Sequence, residues 1–430
     1  MSERWPLHVR ILIGLAVGIV TGVAANVVAG GEPWLVNTTD YVTEPFGRIF
    51  LRLIFMVVLP LVFSALALGV AGLGDAARLG RIGAKTFAYT ILATGLSVAL
   101  GLLLVNVVRP GAGLPEETRA ALAANASRGP APVTAPTDAP VGLQAVLAIV
   151  PDNPLRAAVN GDMLAVMFFS LMVGLGLAMA PRETVAPLIA VLEGLYAVVM
   201  QVIELAMRLA PYGVAALLFT LTARLGAGVL RQLASYVLVV LAGLAIHQFV
   251  TYSLIIRFLG GMSPVLFFQR IRTVMITAFS TSSSNATLPL ALIVTERNLG
   301  VPREIANFVL TLGSTANQNG TALFEGVTVL FLAQFYGVEL SLQSQLMVVL
   351  MSILAGVGTA GVPGGSLPLI VPVLVTVGVP PEGIGIIFGV DRVLDMCRTV
   401  LNVTGDITAA VVVANSEHTL EVPAVVPDVA

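Results

Sequence analysis

Five residues of one helix-forming stretch carry charges or amides that apolar surroundings normally exclude. In DRVLDMCRTVLNVTGD (391–406), Asp391, Asp395, Arg398, Asn402 and Asp406 are spaced 4, 3, 4 and 4 apart. At ~100° per residue they fall within roughly an 80° arc of one helix. The flanking runs, GIGIIFGV and ITAAVVVA, are apolar. A charge at the centre of a bilayer costs at least ~2.5–3.5 kcal/mol, so such residues face a protein-lined cavity and mark a substrate or ion path.

Three other stretches carry polar groups where a continuous apolar span would not. ITAFSTSSSNATLPL (276–290) places six Ser/Thr among the eight residues from Thr277 to Ser284. GVGTAGVPGGSLPL (356–369) has Gly at 356, 358, 361, 364 and 365 and Pro at 363 and 368. Neither can run as an unbroken lipid-facing helix, because Gly and Pro interrupt it and the freed backbone groups need partners. Both are expected to be re-entrant hairpins whose tips meet at mid-depth, lining a cavity. Small-residue helix packing is the plainer reading, but a Ser/Thr cluster this dense, beside a charged helix, favours a site. In LTLGSTANQNGTALFEGV (310–327), Asn317, Gln318, Asn319, Gly320 and Thr321 predict an unwound turn. Its carbonyls and amides are hard oxygen ligands suited to a small cation or to substrate. Glu325, eight residues after Asn317, is a lone carboxyl among apolar neighbours.

The elements that must hold these residues are membrane spans. The chain has 430 residues, 57% hydrophobic and 11% charged, with a mean hydropathy of +0.96; soluble domains carry about 25% charged residues. The net charge of −2 and the lack of a basic tract give no reason to expect a nucleic-acid partner. A single cysteine, Cys397, excludes an internal disulfide, and His8, His247 and His418 are too scattered for a zinc site. The first apolar run, after Arg4 and Arg10, reads as a retained span. Short Arg-bearing stretches at 75–85, 257–272 and 296–303 are cytoplasmic by the positive-inside rule. Counting outward puts both termini in the cytoplasm. The Pro/Ala/Gly-rich stretch 109–141 is expected to be an extracytoplasmic loop. An intramembrane aspartyl protease is the enzymatic rival. It would want G-x-G-D, where this chain has Val403-Thr404-Gly405-Asp406, and its aspartates would come from facing helices. A transporter rather than an enzyme is expected, and hairpin gates with an ion-paired site favour carriage over a channel.

Taken together in this order, the Ser-rich hairpin, the broken helix at Asn317–Thr321, the GTAGVPG hairpin and the polar last helix resemble the dicarboxylate/amino acid:cation symporters, the glutamate transporter family. Patches such as IVPDNPLRAAVNGDMLAVMFFSLMVGLGLA extend the resemblance over nearly the full length. It implies an all-α polytopic membrane protein of the elevator type, with eight transmembrane helices, two re-entrant helical hairpins and a homotrimeric assembly. Residues 1–73 would hold scaffold spans 1 and 2, 74–108 span 3 of the transport domain, and 109–141 the extracytoplasmic loop. Scaffold spans 4 and 5 would occupy 142–221, and the rest of the transport domain 222–430. A plasma (inner) membrane location follows.

The same resemblance gives residues roles. Arg398 matches the arginine that grips the substrate's side-chain carboxylate, for which a planar guanidinium fork is suited, and Asp395 the aspartate that takes the α-ammonium. Asn402 and the backbone near Ser283 and Ser284 match contacts to the α-carboxylate. Thr321 and Thr399 match substrate-contacting threonines, and Gly361 and Val362 the extracellular gate. Dicarboxylate carriers put Ser at the place of Asp395, and neutral amino acid carriers lose the arginine. With both charges present, aspartate or glutamate is the expected substrate; a C4-dicarboxylate is the alternative.

Departures concern the coupling ions, the only cofactors implied. The family's N-M-D-G-T reads here Asn317-Gln318-Asn319-Gly320-Thr321. Asn319 replaces a carboxylate ligand of one sodium ion, and Thr90 and Ala93, beside Thr94, replace its tyrosine and threonine ligands; that site is expected to be missing. A residual cation site remains in Asn317, Asn402, Asp406 and the carbonyl of Gly313. Glu325 falls where proton-cotransporting relatives have glutamate, and a carboxyl in apolar surroundings can carry a proton through the cycle. H⁺ is therefore the favoured coupling ion, alone or with Na⁺. Ser282 and Met396 stand where the family's mobile arginine is found, with altered kinetics expected.

Overall fold

The computed structural model describes residues 7–78, 80–113, 150–358 and 365–423, and these form helices, turns and connections with no strand among them. Among the described residues, five helices are long and apolar enough to cross a membrane: Val9–Ala29, Pro33–Ala71, Arg81–Val108, Arg182–Met207 and Gly228–Phe258. Their outward faces carry exposed Leu92, Val191, Leu205 and Leu238, the surface expected of lipid-facing helices.

Helix α1 (Leu7–Ala29) is followed by a short α2 (Pro33–Thr38), then α3 (Glu44–Phe55) and α4 (Val58–Arg78). Helix α5 (Arg81–Val108) precedes α6 (Pro154–Asn160), α7 (Met163–Met179) and α8 (Arg182–Leu225). The Asn153 side chain caps α6 ahead of Pro154, and the Asp162 side chain caps α7, each accepting from orphan backbone N–H groups. Helix α8 runs unbroken for 44 residues through Pro187 and Pro211, so the boundary expected at 221 falls inside its last turn.

Glycines at every fourth position let α1 lie directly on α8. A Cβ at Gly14 would sit 2.1 Å from the Pro211 carbonyl oxygen, and one at Gly18 would sit 2.4 Å from that of Ala215. At Gly22 it would meet the Thr222 hydroxyl at 2.1 Å. Close backbone approach through small residues is the usual way to join helices where no hydrophobic force acts between them. Asn26 fastens the far end by donating to the Ala223 carbonyl (2.8 Å).

The second half of the chain builds the site. Helix α9 (Gly228–Ile246) passes through a π turn, His247–Thr251, into α10 (Tyr252–Phe258). Helices α11 (Pro264–Thr281) and α12 (Ser284–Arg297) form the Ser-rich hairpin. Its tip turns at Ser282, in the left-handed region at φ 51°, and Ser283 caps α12 by accepting from Ala286 N–H. Helices α13 (Arg303–Ala316) and α14 (Asn319–Tyr336) are separated by Asn317 and Gln318, both out of helical conformation. Helix α15 (Leu342–Gly358) and α16 (Leu367–Thr376) flank the glycine-rich stretch. Gly361 and Val362 lie outside the described residues. The polar stripe rides on one continuous helix, α17 (Ile384–Ser416), which packs against α11 to α14.

The end of α17 is tied down by charge and by backbone. Glu417 pairs with Arg81 and with Lys85 (2.6 Å), which together hold its carboxyl below the usual carboxylate range. Glu421 N–H donates to the Gly300 carbonyl (3.1 Å) at the α12–α13 turn. Arg270 donates to the carbonyls of Asn298 (2.8 Å) and Pro423 (2.6 Å).

Candidate functional site

All five polar residues of the α17 stripe are buried. Arg398, fully buried, donates from Nη2 to Asp395 Oδ1 at 2.8 Å. Its Nη1 lies 2.9 Å from Asp391 Oδ1 without the alignment of a hydrogen bond. One face of the guanidinium stacks on Phe324 of α14, with Cζ 3.8 Å from the ring centroid. A buried guanidinium with two carboxylates and an aromatic face is held in place by charge, orientation and dispersion together. Arg392 sits 3.5 Å from Asp395 Oδ2. Thr399 donates its hydroxyl to the backbone carbonyl of Asp395 (2.9 Å), fixing the turn that carries both charges.

One turn further along, Asn402 meets the unwound segment. Its Oδ1 accepts from Gly320 N–H (2.7 Å), and its Nδ2 donates to Gln318 Oε1 (2.5 Å) and Thr321 Oγ1 (3.1 Å). Gly320 permits this crossing, since a Cβ there would lie 2.8 Å from the Arg398 carbonyl oxygen. At the end of the stripe, Asn317 donates from Nδ2 to Asp406 Oδ1 (2.9 Å), while its Oδ1 is buried with no hydrogen-bond partner among the described residues. Gly313 lies against the same carboxylate, 2.4 Å from where its Cβ would be, and its carbonyl accepts Asn317 N–H (2.9 Å). Three of the four residues expected at the residual cation site thus converge, and Asn402 faces the unwound turn instead. Their carbonyl, amide and carboxylate oxygens are the hard donors a small cation prefers.

Asn319 is fully engaged as a neutral amide. Thr94 of α5 donates to its Oδ1 (2.6 Å), and its Nδ2 donates to the Tyr252 hydroxyl (2.9 Å), which donates onward to the Leu401 carbonyl (3.1 Å). Ser97 donates to the Asn319 backbone carbonyl (2.8 Å). Thr90 and Ala93 are buried nearby on α5 and make none of these bonds. A carboxylate at 319 could not donate to Tyr252, and would add a buried charge. We therefore expect Asn319→Asp to lower the melting temperature in choline chloride, from a loss of about 1–3 kcal/mol. Sodium chloride should restore part of it in a dye-monitored melt; an unchanged melt in choline would contradict this account.

Both carboxyl oxygens of Glu325 are buried without a hydrogen-bond partner among the described residues. Ser282, Ser283 and Ser284 are buried at the hairpin tip, and α12, which begins at Ser284, packs against α17. A separate cavity of about 690 Å³ opens among Asn26, Glu44, Arg48, Arg224 and Glu382. None of the stripe residues lines it.

Phe324, Tyr252, Ser97 and the Asp391 contact were not foreseen. Phe324 reads as one more apolar residue of α14, whereas a tyrosine hydroxyl and a serine inside apolar helices signal buried hydrogen bonds.

The model of the sodium:dicarboxylate symporter family matches residues 7–416. The proton/glutamate-aspartate symporter of Escherichia coli (strain K12) is 36% identical over 416 residues, covering 96% of this chain and 94% of that protein. The proton/sodium-glutamate symport protein of Bacillus subtilis (strain 168) is 36% identical over 412 residues, covering 95% and 94%. A C4-dicarboxylate transport protein of Rhodospirillum rubrum is more distant, at 30% over 417 residues, covering 96% and 89%. Identity at this level across the whole length makes the assignment plain: the chain belongs to the sodium:dicarboxylate symporter family.

Proposed function

We propose that the protein is a secondary active symporter that takes up aspartate or glutamate, coupled to protons and with the capacity to carry one sodium ion. The observation that carries this reading is the buried pair on α17. Arg398 presents a fixed guanidinium for a side-chain carboxylate, and Asp395 one turn away presents a carboxylate for an α-ammonium. A C4-dicarboxylate has no ammonium to place against Asp395, and the carrier of that class is the more distant of the relatives compared.

The other roles follow from position. Asn402, Thr399, Thr321 and the hairpin tip at Ser283 and Ser284 would complete the substrate site, with the positive end of α12 facing the α-carboxylate. Gly361 and Val362 would close it from outside. Glu325 would carry the proton: both its carboxyl oxygens are buried with no hydrogen-bond partner among the described residues, where an uncompensated charge is costly. Asn317, Asp406 and Gly313 would hold sodium. The names of relatives coupled to proton alone or to proton and sodium support either stoichiometry.

Eight spans and two re-entrant hairpins fit the element order. Residues 1–73 and 142–221, extended to Leu225 by the continuous α8, would form the scaffold, and 74–108 with 222–430 the moving domain. Homotrimers in the plasma (inner) membrane, surrounded by lipid and with cytoplasmic termini, complete the reading.

Uptake of labelled aspartate into proteoliposomes tests it. An inward proton gradient should drive accumulation, excess glutamate should compete, and malate should compete weakly. Absence of accumulation under a proton gradient, with accumulation under a sodium gradient, would remove the proton; failure under both would remove the transport reading.

A further inference from the structure

We infer that Asp391 is a second proton site, loaded when the substrate's side-chain carboxylate takes Arg398 away from it. The inference rests on the acidic amino acid reading above and deepens it.

Asp391 and Asp395 share one guanidinium, but they are held differently. Asp395 has an aligned hydrogen bond from Arg398 Nη2 at 2.8 Å and Arg392 at 3.5 Å on its other oxygen. Asp391 faces Nη1 at 2.9 Å without hydrogen-bond alignment, and the Arg398 Nε has no hydrogen-bond partner among the described residues either. The titratable or charged groups acting on Asp391 are Arg398, Asp395 and Arg392 of its own helix and Tyr236 of α9. Glu325 of α14 acts on Arg398. From α1 and α8, Leu15 and Leu218 face the neighbouring Gly389, and α16 contains no ionisable residue.

Counting charge then decides the outcome. Without substrate, one guanidinium stands between two carboxylates, with Arg392 at the edge. An acidic amino acid adds a side-chain carboxylate at Arg398 and an ammonium at Asp395. Around these two cations there would be three carboxylates, of which Asp395 keeps the ammonium and the ligand keeps the guanidinium fork. Asp391 is left buried with Arg392, already paired with Asp395, as the remaining cation acting on it, and a buried carboxylate so poorly compensated neutralises rather than remaining charged. A proton from hydronium on the side of entry forms an O–H bond on Asp391, which can donate to the incoming carboxylate beside it. When substrate leaves, the proton returns to water and Nη1 regains Asp391. The α-carboxylate lies apart from this exchange, at Asn402 and the hairpin tip. Glu325 differs in kind: neither of its carboxyl oxygens has a hydrogen-bond partner among the described residues, so substrate binding at Arg398 breaks no hydrogen bond of its carboxyl.

Proton uptake on binding L-aspartate tests this, using purified full-length protein in weakly buffered solution. The wild type should take up about one more proton per aspartate bound than Asp391→Asn, and the same difference should persist in a Glu325→Gln background. Equal uptake by wild type and Asp391→Asn would overturn the inference while leaving the substrate reading intact. No binding of aspartate by the wild type would overturn the substrate reading and the inference with it. If Asp391→Asn does not fold, difference infrared spectra of wild-type protein labelled with ¹³C at aspartate carboxyls serve instead. A protonated-carboxyl band that shifts with aspartate labelling should appear on binding. A band that shifts only with glutamate labelling, or no band, would overturn the inference.

Discussion

Arg398→Ala should weaken aspartate binding by about 10²- to 10³-fold or more, and uptake with it: this is the largest effect the structure predicts. The guanidinium is the partner of both Asp391 and Asp395 and stacks on Phe324. Removing it would delete the group proposed to receive the substrate's side-chain carboxylate, and it leaves two buried carboxylates on one helix face without their shared guanidinium. Breaking a buried charge pair in this way costs about 3–5 kcal/mol, and affinity should fall by about 10²- to 10³-fold or more. Arg398→Lys keeps the charge but loses the fork and the stacking surface, and should recover only part of the loss. Titration calorimetry with aspartate, beside a thermal melt showing that the variant still folds, is the measurement. Affinity within a few-fold of wild type for the alanine variant would mean that Arg398 does not hold the ligand.

Glu325→Gln separates carriage from cycling. Glutamine has the shape of the neutral acid but cannot give up a proton, so a protein locked in this state can still bind substrate and exchange it across the membrane. Net, gradient-driven uptake requires the empty carrier to return without its proton, and should fall to background. Exchange of internal unlabelled aspartate for external labelled aspartate should persist. Because neither carboxyl oxygen has a hydrogen-bond partner among the described residues, the new amide gains nothing from its surroundings. A stability loss of about 1–3 kcal/mol is expected from its unpaired N–H groups. Concentrative uptake at wild-type rate would remove Glu325 from the proton cycle.

How far these residues could be read from the sequence depended on the range of the interaction. The α17 stripe was legible because its period is helical and its cost in apolar surroundings is high. The breaks at Ser282 and at Asn317–Gln318 were legible because clustered hydroxyls and amides cannot be left unpaired inside a span. Partners brought from other helices were not. Phe324 reached Arg398 from α14, and Tyr252 reached Asn319 after a π turn that leaves no mark in the residue pattern. The amide at Asn319, where the resemblance led us to expect a carboxylate, was visible as a letter change, but its hydrogen bonds from Thr94 and to Tyr252 were not. Helix α8 continues through Pro211, where the α1 backbone at Gly14 packs against it, beyond the boundary at 221 that the apolar pattern suggested.

The bonds from Thr94 through Asn319 and Tyr252 to the Leu401 carbonyl all point one way. Each middle member must both accept and donate, and the amide is the member whose two ends differ. A change at position 319 alone therefore strands a hydroxyl on one side or crowds acceptors on the other. For a lineage carrying this arrangement, a carboxylate at 319 serving a second sodium ion would be a net burden until companion oxygens were added on α5, and those would do little without the carboxylate. Ion usage in such a lineage is held in place by history as much as by present need.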